Sequence, residues 1–92
     1  MIISFKHKGL EVLYKTGSAK GVLPTHAPRL KLLLAALDAA RTPESLNLPS
    51  MRLHMLKGNY KGFYSITVSG NWRLIFRFVD ANVELVNYLD YH

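Results

Sequence analysis

Apolar residues recur along this chain with two different periods, and the switch between them divides it. Met1–Phe5 (MIISF) is a short apolar run rich in β-branched residues, which predicts a strand. Leu10, Leu13 and Tyr14 follow at spacings of three and four, a short amphipathic helix closing at Thr16-Gly17, where glycine suits the left-handed cap. Ser18–Leu23 reads as a loop. A second helix is marked by Thr25 as N-cap, Pro28 in the first turn, and Leu30, Leu33, Leu34 and Leu37 as a core-facing stripe. Thr42-Pro43-Glu44 starts a further helical turn that Pro49 ends. From Met51 the period becomes two. Met51–Lys57 predicts a strand, Gly58–Gly62 a turn, and Tyr64, Ile66 and Val68 the buried side of a second strand. After Gly70-Asn71, Trp72, Leu74, Phe76 and Phe78 share one face of a third, with Arg73, Ile75 and Arg77 on the other. Asp80-Ala81-Asn82 turns the chain into a last strand, Val83 to about Tyr91. The order β-α-α-β-β-β-β predicts an α+β fold, an antiparallel sheet with two helices packed on one face.

Composition narrows the class. A length of 92 residues predicts one domain spanning 1–92, and 49% hydrophobic residues suffice for a core. Without cysteine there is neither a disulfide framework nor a thiolate zinc site, which fits a reducing cytoplasm. No stretch nears the ~18 apolar residues of a membrane span, and Lys6, Lys8 and Glu11 interrupt any leader-like run at the N-terminus. The expectation is a cytoplasmic protein without a membrane partner.

Charge adds a hint about partners. The formal net charge is +6, and residues 1–62 carry ten of the twelve Lys/Arg but only three of the six acidic residues. A small basic domain suits a polyanion, because each neutralised phosphate releases counterions. Surplus lysine also serves solubility, so charge alone does not decide.

Candidate chemistry begins by elimination. There is no Gly-rich phosphate loop and no Gly-x-Ser-x-Gly elbow, and His7, His26, His54 and His92 lack metal-ligand spacing, so neither cofactor nor metal is expected. Polar groups concentrate instead on the strands: His54 between Leu53 and Met55, Lys57 beyond it, Asn71 and Arg73 flanking Trp72, and the run Asp90-Tyr91-His92. Each has an ordinary reading as a solvated strand or turn residue. Together, imidazole, carboxylate, phenol and guanidinium on one cationic face are what metal-free RNA cleavage needs. A base removes the 2′-hydroxyl proton, an acid protonates the departing 5′-oxygen, and a fixed cation meets the charge on phosphorus.

The ordered set Leu53-His54-Met55-Leu56-Lys57-Gly58, Tyr64–Val68, Asn71-Trp72-Arg73-Leu74-Ile75-Phe76 and Asp90-Tyr91-His92, with the opening Met1–Leu10, resembles the HigB toxins of the RelE/ParE toxin–antitoxin superfamily. The likeness spans the chain and is loosest over Ser18–Ser50. It implies an mRNA interferase that cuts the codon in the ribosomal A site, leaving a 2′,3′-cyclic phosphate and a 5′-hydroxyl. It also implies a helix-turn-helix antitoxin of the HigA type. The family's functional positions map onto His54, Asn71, Arg73, Asp90, Tyr91 and His92, with Lys57 on a phosphate. The roles expected are His54 or Asp90 as base, His92 as acid, Arg73 on the phosphorane charge, Tyr91 stacking on or hydrogen bonding to the nucleotide, and Asn71 at a base edge. Ribosome docking would fall to Lys6, Lys8, Lys15, Lys20, Lys31 and Lys61. The alternative within the superfamily is a ParE-like gyrase inhibitor that cuts nothing. His54 and Asp90-Tyr91-His92 favour the nuclease, since a pure binder has no use for acid–base groups.

Overall fold

The computed structural model describes residues 1–91, so His92 lies outside the described residues. It contains two α-helices, α1 (Lys8–Thr16) and α2 (Ala27–Ala39), and four strands, β1 (His54–Met55), β2 (Tyr64–Ser69), β3 (Trp72–Val79) and β4 (Asn82–Asp90). The strands form one antiparallel sheet in the order β1-β2-β3-β4. Short 3₁₀ turns occupy Pro24–His26, Pro43–Leu46 and Gly58–Tyr60. The α+β class and the meander follow the hydrophobic pattern.

The core lies between the helices and one sheet face. Leu10 and Leu13 of α1 and the α2 stripe Leu30, Leu33, Leu34 and Leu37 pack with Ile66, Val68, Leu74, Phe76, Val83 and Val86. Gly17 closes α1 in the left-handed conformation at φ 80°, its amide bonding the Leu13 carbonyl at 2.9 Å. Gly9 is needed for a different reason. A Cβ there would sit 2.3 Å from the Gly21 carbonyl oxygen, so α1 and the following loop cross where only glycine fits. His7 caps α1, its Nδ1 accepting from the Leu10 amide at 3.1 Å.

Four details depart from the pattern. Residues 1–5 do not form a strand. They make two isolated parallel bridges to β4, Ile2 with Val83 and Phe5 with Val86. The cause lies in β4, which bulges where Leu85 adopts φ 55° and the register slips between Ile75 and Arg77, so no continuous ladder fits beside it. Ser4 Oγ accepts the Leu85 amide at 2.9 Å, and Asp38 accepts the Ile2 amide at 2.9 Å and the Tyr14 hydroxyl at 2.8 Å. The expected strand Met51–Lys57 shrinks to His54–Met55, because Arg52 turns left-handed at φ 49° while the Met51 carbonyl still accepts from the Thr67 amide. Thr25 does not cap α2. Pro24 starts a 3₁₀ turn one residue earlier and α2 follows from Ala27 without a side-chain cap. Finally, Ile75 shares a face with two arginines yet is 1% exposed, beside an equally sequestered Ser65.

Candidate functional site on the open face of the sheet

Side chains alternate across a strand, so the register fixes which residues share the face turned away from the helices. His54 pairs with Ser65, Ser65 with Ile75, and Ile75 with Asn87, giving one row across all four strands. The next row is Thr67, Arg73 and Leu89. Tyr91 follows Leu89 by two positions, and its amide bonds the Asn71 carbonyl at 2.8 Å. His54, Arg73 and Tyr91 therefore share one face, with Asn71 at the hairpin beside them. His54 and Arg73 stand two strands and one row apart, about 12 Å, too far to touch each other.

Asp90 is the exception. It pairs with Trp72, and it lies two positions beyond the buried Tyr88, so the pleat turns it toward the helix side. The structure does not bring its carboxylate together with His54. His92, the remaining member of the expected set, lies outside the described residues.

Local structure holds several of these groups. Arg73 lies just after the tight turn Gly70-Asn71, and its guanidinium donates to the Gly70 carbonyl and, at 3.1 Å, to the Trp72 carbonyl. Both acceptors are neutral, so its charge is not cancelled by them. Arg77 differs. Its Nε donates to Glu84, and its guanidinium stands 5.6 Å from the Phe63 ring centroid. His54 is exposed on the short edge strand, and Lys57 is exposed in the loop that follows. Among the described residues, no three His, Asp or Glu side chains group closely enough to hold a metal ion.

Below the sheet end that carries Asp90 lies a buried aromatic group. Tyr88 hydrogen-bonds His26 Nδ1, and its ring lies 4.7 Å from that of Trp72 and 5.3 Å from that of His7. Burial pushes the Tyr88 hydroxyl pKa up, against a hydrogen bond from the Leu23 amide, and burial pushes His7 down. At the other end of α1, hydrogen bonds from the Ile2 amide and the Tyr14 hydroxyl hold Asp38 below its ordinary value. These groups tie helices to sheet and do not face the open side.

Sequence reasoning passed over Tyr60 and Phe63. Their rings meet edge-to-face at 6.0 Å, and Tyr60 meets Tyr91 at 6.1 Å. Tyr60 and Phe63 lie within the Gly58–Gly62 turn and just after it, so alternation gave no signal there. Aromatic residues interleaved with Lys57 and Lys61 were the available clue. The six candidate docking lysines, Lys6, Lys8, Lys15, Lys20, Lys31 and Lys61, are all exposed, but they are not on one face. Lys8, Lys15 and Lys31 lie on the helices and Lys61 beside the open face, while Lys15 pairs with Glu11 at 3.0 Å.

Comparison with known proteins gives concordant results. The sequence model of the family described as RelE-like toxin of type II toxin-antitoxin system HigB matches residues 3–92. Endoribonuclease HigB of Proteus vulgaris is 44% identical over 92 residues, covering all of both chains. Toxin HigB-1 of Vibrio cholerae is 39% identical over 94 residues, covering all of this chain and 98% of that one. Among solved structures, the YoeB-YefM complex from Staphylococcus aureus aligns with a TM-score of 0.65 at 21% identity, over 100% of this chain and 95% of that chain. A point mutant of YafQ from E. coli aligns at 0.62 and 22% identity, over 96% of this chain and 89% of that chain. At these identities the two structures speak for the fold. None of these relatives is a gyrase inhibitor by name.

Proposed function

The chain belongs to the HigB family of RelE-like toxins of type II toxin–antitoxin systems, and from that premise we propose that it is an endoribonuclease cutting mRNA in the ribosomal A site. One observation carries the chemistry: the register that puts His54, Arg73 and Tyr91 on the face left open by the helices. His54 takes the proton of the 2′-hydroxyl, and that oxygen attacks the adjacent phosphorus. The guanidinium of Arg73, held by its own hairpin carbonyls, meets the added negative charge. The bond from phosphorus to the 5′-oxygen breaks, and the departing oxygen takes a proton from His92. The products are a 2′,3′-cyclic phosphate and a 5′-hydroxyl. Imidazole can both take and give a proton, so the histidines suit both proton transfers. The turn of Asp90 to the other side of β4 favours His54 over Asp90 as base. Tyr91 stacks on the nucleotide, Asn71 meets a base edge, and Lys57 contacts a phosphate.

The partners are the ribosome with its mRNA and a neutralising helix-turn-helix antitoxin of the HigA type, in the cytoplasm. Among the described residues no helix is long and apolar enough to cross a membrane. Docking through Lys6, Lys8, Lys15, Lys20, Lys31 and Lys61 makes ribosome affinity fall steeply with salt, each phosphate contact adding to the slope. Primer extension on mRNA incubated with the protein, with and without translating ribosomes, tests the proposal. Breaks within A-site codons that require ribosomes are expected; rapid cutting of free mRNA, or none under either condition, would refute it.

A further inference from the structure

We propose that Tyr60 and Phe63, together with Tyr91, form a stacking surface for a nucleobase next to the cleaved phosphate; this deepens the RNA-cleaving reading above and rests on it. Two of the rings, Tyr60 and Phe63, come from the loop before β2, and Tyr91 comes from the residue after β4. They nevertheless meet in a run on the open face. Tyr60 lies against Phe63 at 6.0 Å and 81°, and against Tyr91 at 6.1 Å and 66°. None of the three belongs to the core between sheet and helices, and all remain half-buried. Each ring thus leaves part of its surface to solvent.

The surface is held before any ligand arrives. The Tyr60 amide bonds the Lys57 carbonyl at 3.3 Å, Lys61 bonds Gly58 at 3.1 Å, and Phe63 bonds Tyr60 at 2.9 Å. The Leu56 amide closes the loop on the Phe63 carbonyl at 2.9 Å. Gly58 and Gly62 make this path at φ 66° and 92°, which side-chain-bearing residues rarely adopt. Cations border the rings. Exposed Lys57 and Lys61 flank Tyr60 in sequence, and Arg77 stands over Phe63. Aromatic faces edged by cations fit a single-stranded nucleotide, since every base has a π-face and every link a phosphate. An apolar peptide would use the rings but leave Lys57 and Lys61 unused; Arg77 is already paired with Glu84.

A purely structural role for these rings predicts a different result in one experiment. Cleavage is measured on ribosomes programmed with intact mRNA and with mRNAs abasic at single positions around the cut, using wild type, Tyr60→Phe and Tyr60→Leu. Losing one stacked base typically costs about 5- to 150-fold in affinity. Tyr60→Leu is expected to raise the half-saturating concentration by that order with a smaller change in kcat, and Tyr60→Phe to match wild type. An abasic nucleotide at the stacked position is expected to cost wild type the same factor and Tyr60→Leu nothing further. Independent, multiplying losses at every abasic position would overturn the stacking surface while leaving the nuclease reading intact. No cleavage by wild type would overturn both. Phe63→Leu, run through the same cycle, supplies the decision if circular dichroism shows Tyr60→Leu unfolded.

Discussion

The two faces of the sheet are built from the same strands and differ in almost everything else. On the helix side, Ile66, Val68, Leu74, Phe76, Val83 and Val86 are sealed against α1 and α2. On the other side the same strands present His54, Thr67, Arg73 and Arg77, with Tyr91 beyond β4 and Ser65 and Ile75 deeply buried among them. Stability needs apolar area removed from water, and chemistry on a polyanion needs charged groups left in reach of it. Alternation along a strand supplies both, one residue apart. The comparison teaches that substitutions at adjacent positions of β3 should separate cleanly, those facing the helices acting on folding and those facing out acting on cleavage.

The sharpest way to break that separation is at His54. General acid–base groups contribute about 10²–10⁴ in rate, so His54→Ala is expected to lose that much cleavage with an unchanged melting temperature. Single-turnover cleavage with a thermal melt on the same preparation checks it. If the variant melts early, His54 belongs to the scaffold after all. On the opposite face, Phe76→Ala should cost about 3–5 kcal/mol of stability, a large part of a small domain's total. Urea titration measures that loss, and what remains folded should cut at the wild-type rate.

A smaller effect is expected where α1 meets its following loop. Gly9→Ala forces a methyl against the Gly21 backbone, which cannot swing aside as a side chain would. Overpacking of this kind costs about 1–3 kcal/mol, visible as a lower urea midpoint. The smallest concerns pH. His7 caps α1 through a neutral Nδ1, and burial lowers its pKa in the folded chain below 6.5. The unfolded chain therefore binds the proton more readily, so this stability is complete above about pH 6.5 and is lost as pH falls through the folded value. His7→Gln should flatten the part of the stability–pH curve just below about pH 6.5; an unchanged curve would assign that slope to other groups.

How much of this was legible in the sequence depended on how local the cause was. The Leu30–Leu37 stripe and the Trp72/Leu74/Phe76 alternation announce α2 and β3, because each residue's environment repeats at a fixed period. The bulge at Leu85 is not legible, since nothing about a leucine signals φ 55°, and with it went the strand expected at residues 1–5. Arg52, at φ 49°, likewise cut β1 short. The face of Asp90 is opposite to that of Tyr91 because neighbours in a strand alternate, so residues contiguous in sequence are not together in space. Tyr60 and Phe63 were hidden for another reason. Their meeting with Tyr91 depends on β4 returning beside the β2–β3 hairpin, a contact thirty-one residues long for Tyr60.

The central claim is that the open face cuts RNA while the helix-covered face holds the fold, and Arg73 tests it most directly. Its guanidinium bonds only carbonyls of its own hairpin among the contacts above, so removing it subtracts charge at the site and little packing. Loss of a preorganised charge contact typically costs about 10²–10³ in rate. The measurement is primer extension on translating ribosomes with wild type and Arg73→Ala, each verified by its melting curve. The account predicts codon-specific breaks from wild type and at least a hundredfold fewer, on the order of that loss, from an equally stable Arg73→Ala. Undiminished breaks from Arg73→Ala would contradict it.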